Sequence, residues 1–235
     1  MTLKNHKNHY NVRFLKLTQR EEVIDSISKL ESHLANLDNV STPISNESKT
    51  SHIYFRAFAK LIPDRYEFHS RNPSYVGQSK NKATDIINAL LNYGYSVLAG
   101  EISKFVNGFG LDAYYGFYHK SHTGFQPLVY DMMEPFRWLI DFTVFRIANI
   151  KDHKHRIRLD EFTHTRDGVI VMEYNLIRKF LELLERTFQQ NRRYEFRHGA
   201  KTSDGLKNVQ EITIAKILIQ NLTEYCNGKQ KECII

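Results

Sequence analysis

Two long apolar stretches, from about residue 81 to 106 and from about 128 to 150, constrain this chain more than any other feature. Both read as long helices. Neither holds a run of eighteen apolar residues, so they pack into a core rather than cross a membrane. The first is closed by Asn107-Gly108-Phe109-Gly110, a glycine-rich helix stop. Around them lie further helical signals. Val23, Ile27, Leu30, Leu34 and Leu37 step by three or four onto one face. A shorter segment from about 52 to 61 presents Tyr54, Phe55, Phe58 and Leu61 before Pro63 stops it. Segments of about 173–191 and 208–227 complete the helical set. Residues 162–172 alternate around Arg166-Asp167-Gly168, a hairpin signal. The expected fold is mainly α, a multi-helix domain with at most one small β-hairpin.

The rest of the chain sets the organisation. The first twenty residues are polar and weakly periodic, and 38–51 is dense in Ser, Thr, Asn and Pro, the composition of a linker. We therefore expect a polar segment with one amphipathic helix over 1–50, a larger helical domain over 51–227 and a short tail over 228–235. The two cysteines, Cys226 and Cys233, both fall at the C-terminal end and build no disulfide framework. With no apolar signal segment at Met1–His6, a cytoplasmic location is expected. The net charge of +7 favours an anionic partner.

Chemistry-bearing residues interrupt the apolar text. Glu101 stands inside the first long helix; Asp131 and Glu134 stand three apart in the second, on one face. Buried carboxylates are paired or metal-bound. Arg137 follows Glu134 by three, so spacing alone favours a plain salt bridge over a metal site. His119 is one of eleven histidines, and spacing does not select it. Two basic stretches, Lys151, Lys154, Arg156 and Arg158, then Arg192, Arg193 and Arg197, are either solvated charged loops or contacts to a DNA backbone; the second mixes in aromatics, which suits phosphate contact with stacking on an unpaired base. No helix-turn-helix or zinc-finger spacing marks reading of base sequence.

Three motifs, in order, add a resemblance. They are Asn88-Ala89-Leu90-Leu91-Asn92-Tyr93-Gly94-Tyr95, then Gly110-Leu111-Asp112-Ala113 leading to Gly116-Phe117-Tyr118-His119, then Pro127-Leu128-Val129-Tyr130-Asp131-Met132-Met133-Glu134-Pro135-Phe136-Arg137 with Asp141 beyond. Together they resemble the catalytic helical domain of the CRISPR adaptation integrase family, which serves antiviral defence. The resemblance implies that Glu101, His119 and Glu134 hold Mn²⁺ or Mg²⁺, with Asp131 an auxiliary catalytic acid beside the ion. It implies an endonuclease or integrase that cuts branched DNA or joins short DNA into a repeat array. Arg137 would orient Glu134 or contact a phosphate. Asn88, Asn92 and Tyr93 would either support the metal helix or bond within the bundle. The alternative is a DNA-binding subunit acting only structurally. Family members usually carry an N-terminal β-rich domain of about one hundred residues that helps form a homodimer. The chain is too short for it, so the dimer stays open, as does a second CRISPR adaptation protein as partner.

Overall fold

The computed structural model describes residues 3–37, 43–71, 82–120, 122, 124–195 and 206–229. Eight helices and two small hairpins make up the described residues: α1 (Leu3–Leu17), α2 (Ile24–Leu37), α3 (Pro43–Lys60), α4 (Ile86–Gly108), α5 (Pro127–Met133), α6 (Arg137–Ala148), β1 (Phe162–His164), β2 (Ile170–Met172), α7 (Tyr174–Phe188), β3 (Asn191–Glu195), β4 (Leu206–Gln210) and α8 (Glu211–Cys226). The expectation of a mainly α fold holds. The expected hairpin is present, with Phe162 opposite Met172 and Gly168 at a positive φ of 73° in its turn. A second hairpin, β3 with β4, exceeds the one expected. Its first strand carries Arg192 and Arg193 in place of an apolar alternation, which hid it from a period-two search.

Helix α4 is the central element. Its start is capped by the Asp85 carboxylate, which accepts the Asn88 backbone N–H at 2.8 Å. Its end closes with Gly110 at φ 75° while the Leu111 N–H reaches the Val106 carbonyl at 3.0 Å. Gly94 allows close packing at mid-helix: a Cβ there would sit 2.4 Å from Ile140 Cγ2 on α6 and 3.0 Å from Phe180 Cζ on α7. The second long stretch is not one helix. Pro135 lacks an N–H and its ring opposes the carbonyl four residues back; a short 3-10 turn, Glu134–Phe136, therefore separates α5 from α6.

Two further differences lie toward the N-terminus. Residues expected as a polar tail form α1, whose Val12, Phe14 and Leu15 are buried. The Phe14 ring meets Tyr54, Phe58, Phe142 and Phe145 at centroid distances of 6.0–6.3 Å. Burying such a ring stabilises the fold by roughly 1.5–3 kcal/mol, enough to outweigh the weak propensity of an Asn- and His-rich helix. Helix α3 likewise begins at Pro43, inside the expected linker, with proline at a position where its missing N–H costs nothing. No helix among the described residues is long and apolar enough to cross a membrane.

Candidate active site

The site forms where the loop after α4 folds back onto α5. The Leu128 N–H bonds the Ala113 carbonyl at 3.1 Å, fixing one end of that loop on the helix start. Asp131, 1% exposed, receives the rest. Its Oδ2 accepts the backbone N–H groups of Phe117 at 2.8 Å and Tyr118 at 2.9 Å. Its Oδ1 accepts the His119 N–H at 3.0 Å and faces His119 Nδ1 at 2.6 Å. Gly116 is required here: a Cβ would stand 2.6 Å from Pro127 Cβ, 2.8 Å from Asp131 Oδ2 and 3.0 Å from the His119 carbonyl. The His119 ring keeps partial exposure and lies among Tyr118, Phe125 and Tyr130, with His122 stacked on Phe125 at 4.4 Å.

One turn beyond Asp131 lies Glu134, buried, with Oε1 2.9 Å from Arg137 Nε. The pair expected from spacing is therefore present, and it coexists with the histidine rather than replacing it. Glu134 sustains the Arg137 charge against the cost of burial, which is the largest influence on that guanidinium. Arg137 also lies over the Tyr95 ring at 4.8 Å. Tyr95 and Tyr54 both donate to Asp141, at 2.5 and 2.6 Å. Arg71, which the sequence did not single out, donates to Asn88 Oδ1 and Asn92 Oδ1 at 2.9 and 3.0 Å and covers Tyr95 at 5.3 Å. Both asparagines thus bond within the bundle. The irregular text of 65–80 carried no signal for Arg71.

Glu101 is placed differently. It lies on α4, half-buried, with Oε1 2.6 Å from Lys104 Nζ. Among the described residues no three His, Cys, Asp or Glu side chains come together as a metal-binding group. The donor chemistry of an imidazole with carboxylates suits a hard divalent ion. His119 is bonded to Asp131 on α5, and Glu134 follows Asp131 by three residues, but among the described residues Glu101 does not meet them as a ready-made third donor.

The basic residues divide. Lys151 and Lys154 are exposed on the loop after α6, and Arg156 is half-buried there. Arg158 is exposed and paired with Asp160 at 2.5 Å. Arg192 must be corrected: it is 7% exposed, its Nε lies 3.0 Å from Glu211 Oε1, and it covers the Tyr10 ring at 5.1 Å. That guanidinium braces the core, rather than facing outward as the basic run suggested. Arg193 faces outward on β3, while Arg197 and Cys233 lie outside the described residues.

The family model for "CRISPR associated protein Cas1" matches residues 2–186. The chain belongs to the Cas1 family. A Cas1 relative from Archaeoglobus fulgidus, described as a CRISPR-associated endonuclease, is 31% identical over 202 residues, covering 82% of this chain and 57% of its own length. This chain thus spans little more than half of that Cas1 protein. Among solved structures, a casposase bound to integration product superposes with a TM-score of 0.71 at 23% identity, over 98% of this chain and 59% of that one. A Cas1-containing chain in a partial Cas6-RT-Cas1–Cas2 complex superposes with a TM-score of 0.74 at 18% identity, over 98% and 65%. These two likenesses establish the Cas1 helical fold.

Proposed function

We propose that the protein carries out phosphodiester chemistry on DNA, as an endonuclease or integrase of the CRISPR adaptation type. The observation that carries this reading is the His119 ring bonded to Asp131 one turn before buried Glu134, in a chain of the Cas1 family. His119 and Glu134 would hold Mn²⁺ or Mg²⁺, and Glu101 would join them on releasing Lys104. Such an ion, when bound, polarises a phosphoryl oxygen and activates a water or a DNA 3′-hydroxyl for attack. The chain's own residues bind and orient. Arg137 holds the Glu134 carboxylate in place. Lys151, Lys154, Arg156, Arg158 and Arg193 would meet the phosphate backbone of branched or double-stranded DNA, reading shape rather than base sequence. A second adaptation protein would be a partner, in keeping with the Cas2-containing complex among the fold's neighbours, while the homodimer stays open.

The test is cleavage or joining of branched DNA by the purified protein with Mn²⁺. Glu134→Ala is expected to abolish the activity; activity that survives contradicts the assignment. Glu101→Gln in the same assay separates two ligand sets: loss keeps Glu101 as the third donor, and full activity removes it while leaving His119 and Glu134. A competing reading, a structural DNA-binding subunit, draws on there being no ready-made group of three donors among the described residues. Salt-dependent DNA binding with no metal-stimulated chemistry would favour it.

A further inference from the structure

One buried side chain organises the whole approach to His119. Asp131 faces four groups, all from the same three consecutive residues: the backbone N–H groups of Phe117, Tyr118 and His119, and the His119 ring at Nδ1. Three of these are unambiguous donors, and they occupy both oxygens of Asp131 as acceptors. The hydrogen in the fourth contact therefore sits on Nδ1, because an ionised carboxylate only accepts. A neutral imidazole protonated at Nδ1 carries its lone pair on Nε2.

We propose that Asp131 is a positioning residue that locks the His119 loop and selects the ring tautomer with Nδ1 protonated and Nε2 basic. With all four of its contacts spent on the loop, Asp131 acts through His119 and does not itself touch the ion. The backbone bonds and the ring bond work together. Those to residues 117–119 set where the histidine stands, and the Oδ1 bond sets how its ring is turned. Gly116 belongs to the same device, since any side chain there would collide with Asp131 Oδ2. A carboxylate behind a histidine is a recurrent means of orienting a ligand ring and raising its basicity. The consequence for metal binding rests on the reading proposed above; the tautomer itself does not.

Asp131→Asn makes the proposal testable with almost no change in volume. The amide has one accepting oxygen for positions that now accept four hydrogens. Placing that oxygen at Oδ2 keeps the Phe117 and Tyr118 bonds and sets the NH₂ group against one backbone N–H. The opposite orientation sets it against two. The favoured orientation aims an amide N–H at His119 Nδ1, which must then accept, and the ring proton moves to Nε2. The same logic explains why a wrong tautomer disables a histidine whose supporting aspartate becomes asparagine.

The experiment is nitrogen NMR of imidazole-labelled, metal-free protein at mildly alkaline pH, where an ordinary imidazole is neutral. The His119 signal is assigned by its loss in His119→Gln. The wild type is expected to show the Nδ1–H tautomer and folded Asp131→Asn the Nε2–H tautomer, with Mn²⁺ affinity lower by about 10–100-fold. A wild-type ring protonated on Nε2 overturns the proposal whatever the variant does. So does a folded Asp131→Asn variant with an unchanged tautomer, the result for a residue that merely stabilises the loop. If both tautomers appear as expected but the wild type binds no Mn²⁺, the positioning role stands and the metal-dependent reading fails.

Discussion

Two aspartates ten residues apart, Asp131 and Asp141, are each 1% exposed, yet they do different work. Asp141 sits where α3, α4 and α6 meet, and accepts from Tyr54 on the first and Tyr95 on the second. Burial pushes its carboxyl above the ordinary range, while the two phenols and the nearby Arg71 and Arg137 pull it back. Burial and the Asp141 charge together hold both phenols well above their ordinary values. Every partner is a core group, so the cluster ties three helices together. Asp131 has the same burial, but its donors come from a single loop and end in a ring that reaches solvent. Burial and charge do not separate these two acids; the identity of their donors does.

That contrast can be broken by substitution. The largest expected effect is at Gly116. Gly116→Ala drives a methyl against Pro127 and Asp131 and displaces the His119 loop. Metal-dependent DNA cleavage should fall by about 10–100-fold, the range for lost support of a ligand, with a near-native melting temperature. A large loss of stability instead would make the loop a structural element like the Asp141 cluster.

Tyr54→Phe is the complementary change and should move stability rather than chemistry. Removing one phenol from Asp141 is expected to cost about 1–3 kcal/mol in chemical denaturation. The sign with pH follows from the raised carboxyl. Stability linked to Asp141 is fully present below the ordinary carboxylate value, about 4, and is lost as pH rises through its elevated folded value. Losing a stabilising phenol raises that value further, so the Tyr54→Phe deficit should be small in acid and widen toward neutrality. A deficit independent of pH would mean the charge on Asp141 is not what Tyr54 supports.

The smallest effect belongs to the exposed loop. Lys151→Ala with Lys154→Ala should leave cleavage chemistry intact and flatten the dependence of DNA affinity on salt. The slope should change by about 0.9 for each lost phosphate contact. An unchanged slope removes this loop from the DNA surface.

Much of this was legible in advance, unevenly and for physical reasons. Helix α4 announced itself through a sustained apolar run and a glycine stop, signals that are local. Helix α1 did not, because its buried Val12, Phe14 and Leu15 all lie in its second half, behind a polar Asn-, His- and Lys-rich start, and its order comes from packing on distant aromatics. Pro135 was visible in the sequence, yet the apolar text on both sides masked the break it makes. At the site, spacing foresaw the Glu134–Arg137 pair, and the ordered motifs selected His119 from the other histidines. Arg192 was misread because a charge run says nothing of Glu211, which lies across a hairpin and seals the guanidinium into the core. The bonding of Asp131 was hidden for a related reason: three-residue spacing reports its neighbours on the helix, not the loop that folds onto it.

The central claim is that His119 and Glu134 bind one divalent ion. Calorimetric titration of Mn²⁺ into the wild type, His119→Ala and Glu134→Ala tests it most directly. The account expects a site in the wild type that each substitution weakens severely while the variants remain folded. Undiminished Mn²⁺ uptake by either folded variant, or none by the wild type, would contradict it.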